Sequence, residues 1–494
     1  MIPGIDAILF DVGGTLVAEA AAATPVADLV AQPFPGVVDA LRSLASDHRL
    51  GAVTDTAVMD EGAVRALLRP AGLDDLLEVV VTSCDVGAAK PDPRSVHEAL
   101  RRLGVEPGRA LLVGDRDVDH GAALAAGVAF HATDSGLPDA LTRAALLRSG
   151  AFGAAAARVR PVDEDARADA LARHEQLTKP SGSLGRLEPL GARLAAIAGA
   201  CPPPVPARPA VAVFAGDHGV VASGVTPWPQ EVTAQMVANF ARGGAAINVI
   251  ARQIGAAVHV VDAGVAGDIA ELTGVRHLKV RAGTDDLSAG PAMSTADACR
   301  ALDAGARVAA ELVEAGHDVL VTGEMGIGNT TAAAALVACL TANDATRVTG
   351  RGTGIDDDML RHKQEIVTAA ATRAARWLDP VSVLAEVGGL EIAALAGFIV
   401  GGAAAGVPVI VDGVITCAAL LVADALVPGV RDRCVAGHRS VEPGASAALA
   451  YLGLDPLLDL DLRLGEGTGG CLAVPLVQCA AAVLGEMATF ADLA

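Results

Sequence analysis

The sequence predicts an α/β protein built from two Rossmann-like parallel-sheet domains, and three observations carry that prediction. Short apolar strands alternate with helical segments along nearly the whole chain, the order that produces parallel βαβ units. The chain has 494 residues, too many for a single core at about 150 residues per domain. Its 55 glycines exceed the usual share of about 7% and gather at strand–loop–helix junctions in the second half.

Composition narrows the partners. Apolar residues make up 52% and charged residues 19%, against about 25% charged in ordinary globular chains. That excludes a disordered chain, which lacks the apolar surface to offset chain entropy. The net charge of −21 argues against extended contact with nucleic acid or anionic lipid, because both need clustered Lys and Arg. Small molecules remain. The 8 cysteines are scattered with no CxxC pair, so neither a zinc site nor a disulfide framework is suggested and a reducing compartment fits. The opening Met1-Ile-Pro-Gly-Ile-Asp6 has no basic region and an acid where an export signal needs apolar residues. A cytoplasmic protein is expected.

One stretch competes for a membrane reading. Ile392 to Val411 carries no charge and reaches the length of about 20 residues that spans a bilayer. Gly397, Gly401, Gly402, Gly406 and Pro408 interrupt it, and Asp412 follows directly. A buried helix, a turn and a short core strand explain it, and no basic flank sets an orientation.

In chain order, Ala7–Phe10 is the first strand and ends at Asp11. Val37, Val38, Leu41 and Leu44 share a helical face, and Leu50–Val53 forms the next strand. Val79–Val81 and Ala110–Val113 supply two more. Asp11, Thr54 and Asp115 then fall along one sheet edge, where open α/β sheets bind ligands. This domain is placed at residues 1–147. Residues 148–162, with no clear periodicity and Pro161 near the end, read as a linker. The second domain, 163–494, has strands expected at Ala210–Ala215, Val258–Val261, Val319–Thr322 and Val407–Val411.

The first domain carries four motifs at its strand ends: Asp11-Val-Gly-Gly-Thr-Leu16, Thr54, Lys90-Pro-Asp-Pro93 and Gly114-Asp-Arg-Asp-Val-Asp119. Over about residues 5–135 this order resembles the haloacid-dehalogenase superfamily, most of whose members are magnesium-dependent phosphatases. The resemblance implies that Asp11 is the nucleophile and forms an aspartyl-phosphate. It implies that Thr54 and Lys90 hold the transferring phosphoryl group, and that Asp11, Asp115 and Asp119 bind Mg²⁺. One departure stands out. Phosphatases of the family carry a second Asp two positions after the nucleophile, and here that position is Gly13. A glycine keeps a carbonyl for a metal but donates no proton, and general acid help is worth about 10² to 10⁴ in rate. The interval from Asp11 to Thr54 is also too short for a large cap. Two outcomes stay open: a slowed hydrolase, or a domain that only binds.

The second domain is denser in motifs. Lys179-Pro-Ser-Gly-Ser-Leu-Gly-Arg-Leu-Glu188, Ala215-Gly-Asp-His-Gly-Val220, Gly323-Glu-Met-Gly-Ile-Gly-Asn-Thr-Thr331 and Leu462-Arg-Leu-Gly-Glu-Gly-Thr-Gly-Gly470 follow in order. No Gly-Lys dipeptide exists, so there is no Walker A loop and an ATPase reading loses its support. Gly326–Thr331 feeds a helix N-terminus, a seat for phosphate or carboxylate. Glu466 lies between glycines. Poor solvation there would raise its pKa and suit a general base; an N-cap or solvent-facing acid is the alternative.

Over about residues 163–490 these motifs resemble the nicotinate-nucleotide–dimethylbenzimidazole phosphoribosyltransferases of cobalamin biosynthesis. The resemblance implies transfer of phosphoribose from nicotinate mononucleotide to 5,6-dimethylbenzimidazole, giving α-ribazole 5′-phosphate and nicotinate. By the same likeness Glu466 is the catalytic base, Glu324 and Gly326 lie near the nucleotide, and Lys363 and Ser440 contact it. Gly413 approaches the phosphate, and Trp228 and Met236 line the base pocket. Their ordinary alternatives are a packed turn for Trp228 and helix core for Met236. The family also implies a small helical subdomain assembled from both ends of the segment, a homodimer, and no cofactor for this half. A non-catalytic nucleotide-binding or scaffold protein is the rival reading; it could lose Glu466 freely, whereas the intact Gly-Glu-Gly-Thr-Gly favours an enzyme.

Overall fold

The computed structural model describes residues 2, 4–20, 24–133, 136–375 and 379–493. The chain divides into two compact units, the first reaching Ser149 and the second beginning at Gly150.

In the first unit five parallel strands are β1 (Ala7–Phe10), β2 (Arg49–Thr54), β3 (Val79–Thr82), β4 (Ala110–Gly114) and β5 (Ala129–Ala132), in the order β3-β2-β1-β4-β5. Strand order reverses at β1, so its C-terminal end and that of β4 flank the crevice where doubly wound sheets bind ligands. Asp11 and Asp115 leave these two ends. β1 is buried on both faces. Ile8 and Phe10 join Leu50, Leu111 and Val113 on one side, while Ala7 and Leu9 join Val53, Val81 and Leu112 on the other. That two-sided burial explains why it reads as a continuous apolar run rather than an alternation. β5 escapes prediction because Ala129-Phe-His-Ala132 is a short edge strand, half-buried at its start.

The second unit holds six parallel strands: β6 (Pro209–Gly216), β7 (Ala257–Gly264), β8 (Val275–His277), β9 (Val319–Met325), β10 (Val409–Val411) and β11 (Cys434–Ala436). Their order, β11-β10-β9-β6-β7-β8, puts the reversal between β6 and β9. β8 and β11 span three residues each at the two edges, too short to leave a periodic signal. Helices Glu164–His174 and Leu187–Ala198 pack with Thr468–Glu486, so a helical subdomain is indeed assembled from both ends of this segment. Ala170, Ala192, Ala195 and Leu484 form its small core.

The apolar stretch from Ile392 falls within a buried helix, Leu390–Ala404, followed by a turn and β10. It packs on helix Thr295–Glu314 at very close range. A Cβ on Gly397 would stand 1.9 Å from the Leu302 carbonyl oxygen, and one on Gly305 would stand 1.7 Å from that of Ala394. Gly397 and Gly401 therefore form the helix–helix contact, while Gly402 packs on Val409 and Leu320 and Gly406 takes the left-handed turn. Among the described residues one helix, Thr468–Glu486, is long and apolar enough to cross a bilayer by length and composition. Within the expected linker, Gly150–Ala156 is helical and packs on Thr295–Glu314 with Phe152 buried. Its alanine-rich sequence lacks the polar face that marks a surface helix.

Candidate active site

In the second unit the C-terminal ends of β9 and β10 open into a cleft of about 610 Å³, counting its mouth. Glu324, Gly326, Asn329, Gly413, His438, Ser440, Glu442, Arg463 and Gly465 line it. Three helices start there: Asn329–Thr341 after Gly328, Val414–Leu426 after Gly413, and Thr468–Glu486 after Gly467. The free amides and dipoles of the first two make the floor a seat for anionic groups, whereas the third is already capped by Asp412.

Glu466 is 5% exposed, and its own backbone has φ 63°, between Gly465 at 80° and Gly467 at 90°. A left-handed glutamate costs about 1–3 kcal/mol, a strain typical of functional positions. Burial raises the pKa of its carboxyl; the Ile247 amide, donating to Oε2 at 3.4 Å, opposes this, and the Asp412 charge adds to it. Asp412 is fully enclosed and accepts from the amides of Gly467 at 3.2 Å and Gly470 at 2.8 Å, locking the Glu466 turn to β10. Glu324, next to last in β9, is pushed up to about 8, first by burial and then by the charges of Asp412, Glu391 and Glu466. Asn329 Nδ2 and the Glu466 amide donate to it. Glu324 therefore holds its proton to a higher pH than an ordinary glutamate, with the Glu466 carboxyl close enough to add to that shift.

A second pocket continues from the first through Gly326, Asn329, Thr330 and Gly352 and reaches Lys363. The Lys363 Nζ donates to Thr330 Oγ1 at 2.8 Å and to the Gly350 carbonyl at 3.2 Å, both uncharged. Burial lowers its pKa to about 8, with Glu442 opposing. Glu442 accepts from the Gly352 amide at 2.7 Å and so holds the loop beside the lysine.

Glu324, Gly326, Gly413 and Ser440 therefore meet in one cleft and Lys363 lies in the adjoining pocket, while Glu466 lines neither and is buried one residue beyond the cleft-lining Gly465. Trp228 and Met236 are not among the residues lining either pocket. Trp228 is 49% exposed, and Met236 packs half-buried against the β6–β7 core. Val225 and Thr226 of the same segment line the pocket instead. Asn329, His438 and Glu442 line the cleft as well and are not among the residues the sequence singles out; the last two flank Ser440 in Gly437-His-Arg-Ser-Val-Glu442.

The first unit has its own cluster. The Asp11 and Asp119 carboxylates both accept from Lys90 Nζ, which also reaches the Val53 carbonyl at 3.2 Å, one residue before Thr54. All three charged side chains are buried. Burial pushes Asp11 up to about 6, with Lys90 pulling down and Asp119 adding. Thr15 Oγ1 donates to Asp115 at 2.9 Å. Asp11, Asp115 and Asp119 each offer an oxygen within 4.8 Å of the others. Asp11 Oδ2 is buried without a hydrogen-bond partner. Hard oxygen donors with one carboxylate oxygen unsatisfied suit a divalent cation.

Comparison with known proteins agrees with this division. A family model described as phosphoribosyltransferase matches residues 159–494, and one described as haloacid dehalogenase-like hydrolase matches residues 18–127. The chain is 55% identical over 349 residues to the nicotinate-nucleotide–dimethylbenzimidazole phosphoribosyltransferase of Salinispora tropica, covering 68% of this chain and 96% of that relative. The enzyme of the same name from Chloroflexus aggregans is 52% identical over 333 residues, covering 67% and 94%. The crystal structure of CobT from Thermus thermophilus is similar with TM-score 0.65 and 49% identity, over 67% of this chain and 98% of that one. With a buried glutamate cleft on the second sheet and relatives matched over nearly their whole length, the chain belongs to the phosphoribosyltransferase family, preceded by a haloacid dehalogenase-like domain.

Proposed function

We propose that the second unit transfers phosphoribose from nicotinate mononucleotide to 5,6-dimethylbenzimidazole, giving α-ribazole 5′-phosphate and nicotinate. The observation that carries this reading is Glu466, buried next to the cleft-lining Gly465 with a raised pKa and a charge that helps raise Glu324. The nicotinate ring nitrogen is cationic in the nucleotide, so its departure neutralises charge and needs no acid. Benzimidazole must lose its ring proton as its nitrogen bonds to the sugar C1, and Glu466 takes that proton. Attack opposite the leaving ring turns the β linkage into an α one. The helix N-termini after Gly328 and Gly413, with Lys363, suit the 5′-phosphate, while the Glu466 carboxylate suits the pyridinium. Product analysis with nicotinate mononucleotide and a panel of bases tests the reading; binding of the nucleotide without any α-riboside product would overturn it in favour of a binding protein.

For the first unit we propose phosphomonoester hydrolysis, with Asp11 attacking phosphorus and Lys90 stabilising the charge that develops. Asp11 and Asp115, with the Gly13 carbonyl, would hold Mg²⁺, which neutralises phosphoryl charge when bound. Its substrate is α-ribazole 5′-phosphate, since the second unit makes a phosphomonoester. Phosphate release from that compound with Mg²⁺, compared with Asp11→Ala, is the test; equal release from both overturns it.

A further inference from the structure

We propose that Glu19 is the general acid–base residue of the first unit, filling the role that Gly13 leaves vacant. The inference rests on the hydrolase reading above.

A tight turn follows Asp11. The amides of Leu16 and Val17 both donate to the Val12 carbonyl at 3.0 Å, and the Gly14 amide donates to the Val17 carbonyl at 2.8 Å. Gly13 forms an isolated bridge with Val17, and the Ala18 amide donates to the Gln32 carbonyl at 2.9 Å, which pins the returning chain. The return lays Glu19 across Gly13. A Cβ built on Gly13 would stand 3.6 Å from Glu19 Cγ, in ordinary contact. The Glu19 side chain therefore runs beside the point from which an aspartate side chain would start if the glycine were replaced.

Other groups at this edge are committed. Lys90 is shared by Asp11 and Asp119, Asp55 Oδ1 accepts from the Lys90 amide at 3.0 Å, and Arg116 stays charged at every working pH. Glu19 is exposed, as a group that meets a departing alcohol and exchanges protons with water must be.

The chemistry balances in two steps. An Asp11 carboxylate oxygen bonds to phosphorus as the phosphorus–alkoxide bond breaks, and the alkoxide takes the Glu19 proton to leave as the alcohol. Water then loses a proton to Glu19 and attacks phosphorus, the bond to Asp11 breaks, and inorganic phosphate, free Asp11 and protonated Glu19 result.

Leaving-group dependence tests this on the full-length chain with Mg²⁺. β-Glycerol phosphate releases an alkoxide that needs a proton; p-nitrophenyl phosphate releases a phenolate that does not. Glu19→Gln lowers alkyl phosphate cleavage by about 10²-fold and leaves the first-turnover burst of p-nitrophenolate unchanged. Adding Gly13→Asp to that variant restores alkyl cleavage; the position has no left-handed φ and room for a Cβ. Alkyl cleavage by Glu19→Gln within about twofold of the parent overturns the proposal while the hydrolase reading stands. A parent that is inert where Gly13→Asp is active does the same. If both are inert on both substrates and on α-ribazole 5′-phosphate, the hydrolase reading fails and takes this inference with it.

Discussion

His218 Nε2 and Glu391 Oε1 lie 2.8 Å apart with both side chains wholly buried, directly under the glycine loop that leaves β9. A Cβ on Gly328 would stand 3.3 Å from His218 Cβ, and one on Gly326 would stand 2.2 Å from the Gly216 carbonyl oxygen. The loops after β6 and β9 are thus packed back to back, with an ion pair as their shared foundation. Breaking a buried pair strands a charge, at about 3–5 kcal/mol. Glu391→Ala is expected to lose stability of that order in urea denaturation, and the glycine loop with it.

The same pair sets a pH dependence. Burial disfavours charge on His218, but attraction and hydrogen bonding from Glu391, with Asp217 adding, outweigh it and raise the pKa above 6.5. A raised histidine contributes stability that is complete below about pH 6.5 and lost as pH climbs through the folded value. Denaturation midpoints of the parent fall over that window, and Glu391→Gln flattens the slope.

Glu466→Gln keeps the shape of the turn and removes the proton acceptor. Transfer activity is expected to drop about 10² to 10⁴-fold, with calorimetric binding of nicotinate mononucleotide retained. Undiminished α-riboside synthesis would remove Glu466 as the base.

Glu466→Gly separates strain from chemistry. Relieving a left-handed side chain is worth about 1–2 kcal/mol, so this variant unfolds at slightly higher urea than the parent yet makes no product. A loss of stability instead would show that the carboxylate contributes more to the fold than its backbone costs.

Lys363 is expected to bind phosphate only while charged. Burial has lowered it to about 8, so the Kd for nicotinate mononucleotide rises once pH exceeds about 8. Lys363→Gln weakens binding about 10- to 100-fold, the worth of one charged hydrogen bond at about 1.5–3 kcal/mol, and removes the pH dependence. Calorimetry from pH 7 to 9 checks both.

Chelation distinguishes the two units. Removing divalent metal is expected to stop phosphate release by the first unit and leave α-riboside formation unchanged; loss of both activities would place a metal in the second unit as well.

Strand positions and the glycine-rich loops were legible from sequence, because a strand buried on two faces reads as an unbroken apolar run and a loop packed closely on neighbouring backbone needs glycine. Ala7–Phe10 illustrates the first and Gly326, against the Gly216 carbonyl, the second, whereas β9 runs three residues past the apolar Val319–Thr322 to Met325. The short edge strands β5, β8 and β11 were not, since three or four residues carry no period. Burial and charge environment could not be read locally at all. Glu466 was equally consistent with an N-cap or an exposed acid until packing brought Asp412, which lies 55 positions before Gly467, behind its turn. The buried footing of His218 on Glu391 and the return of Glu19 over Gly13 arise the same way. A residue's type and neighbours in sequence set which chemistry it can perform; its pKa, its partners and its access to substrate depend on groups that only long-range packing brings within a few ångströms.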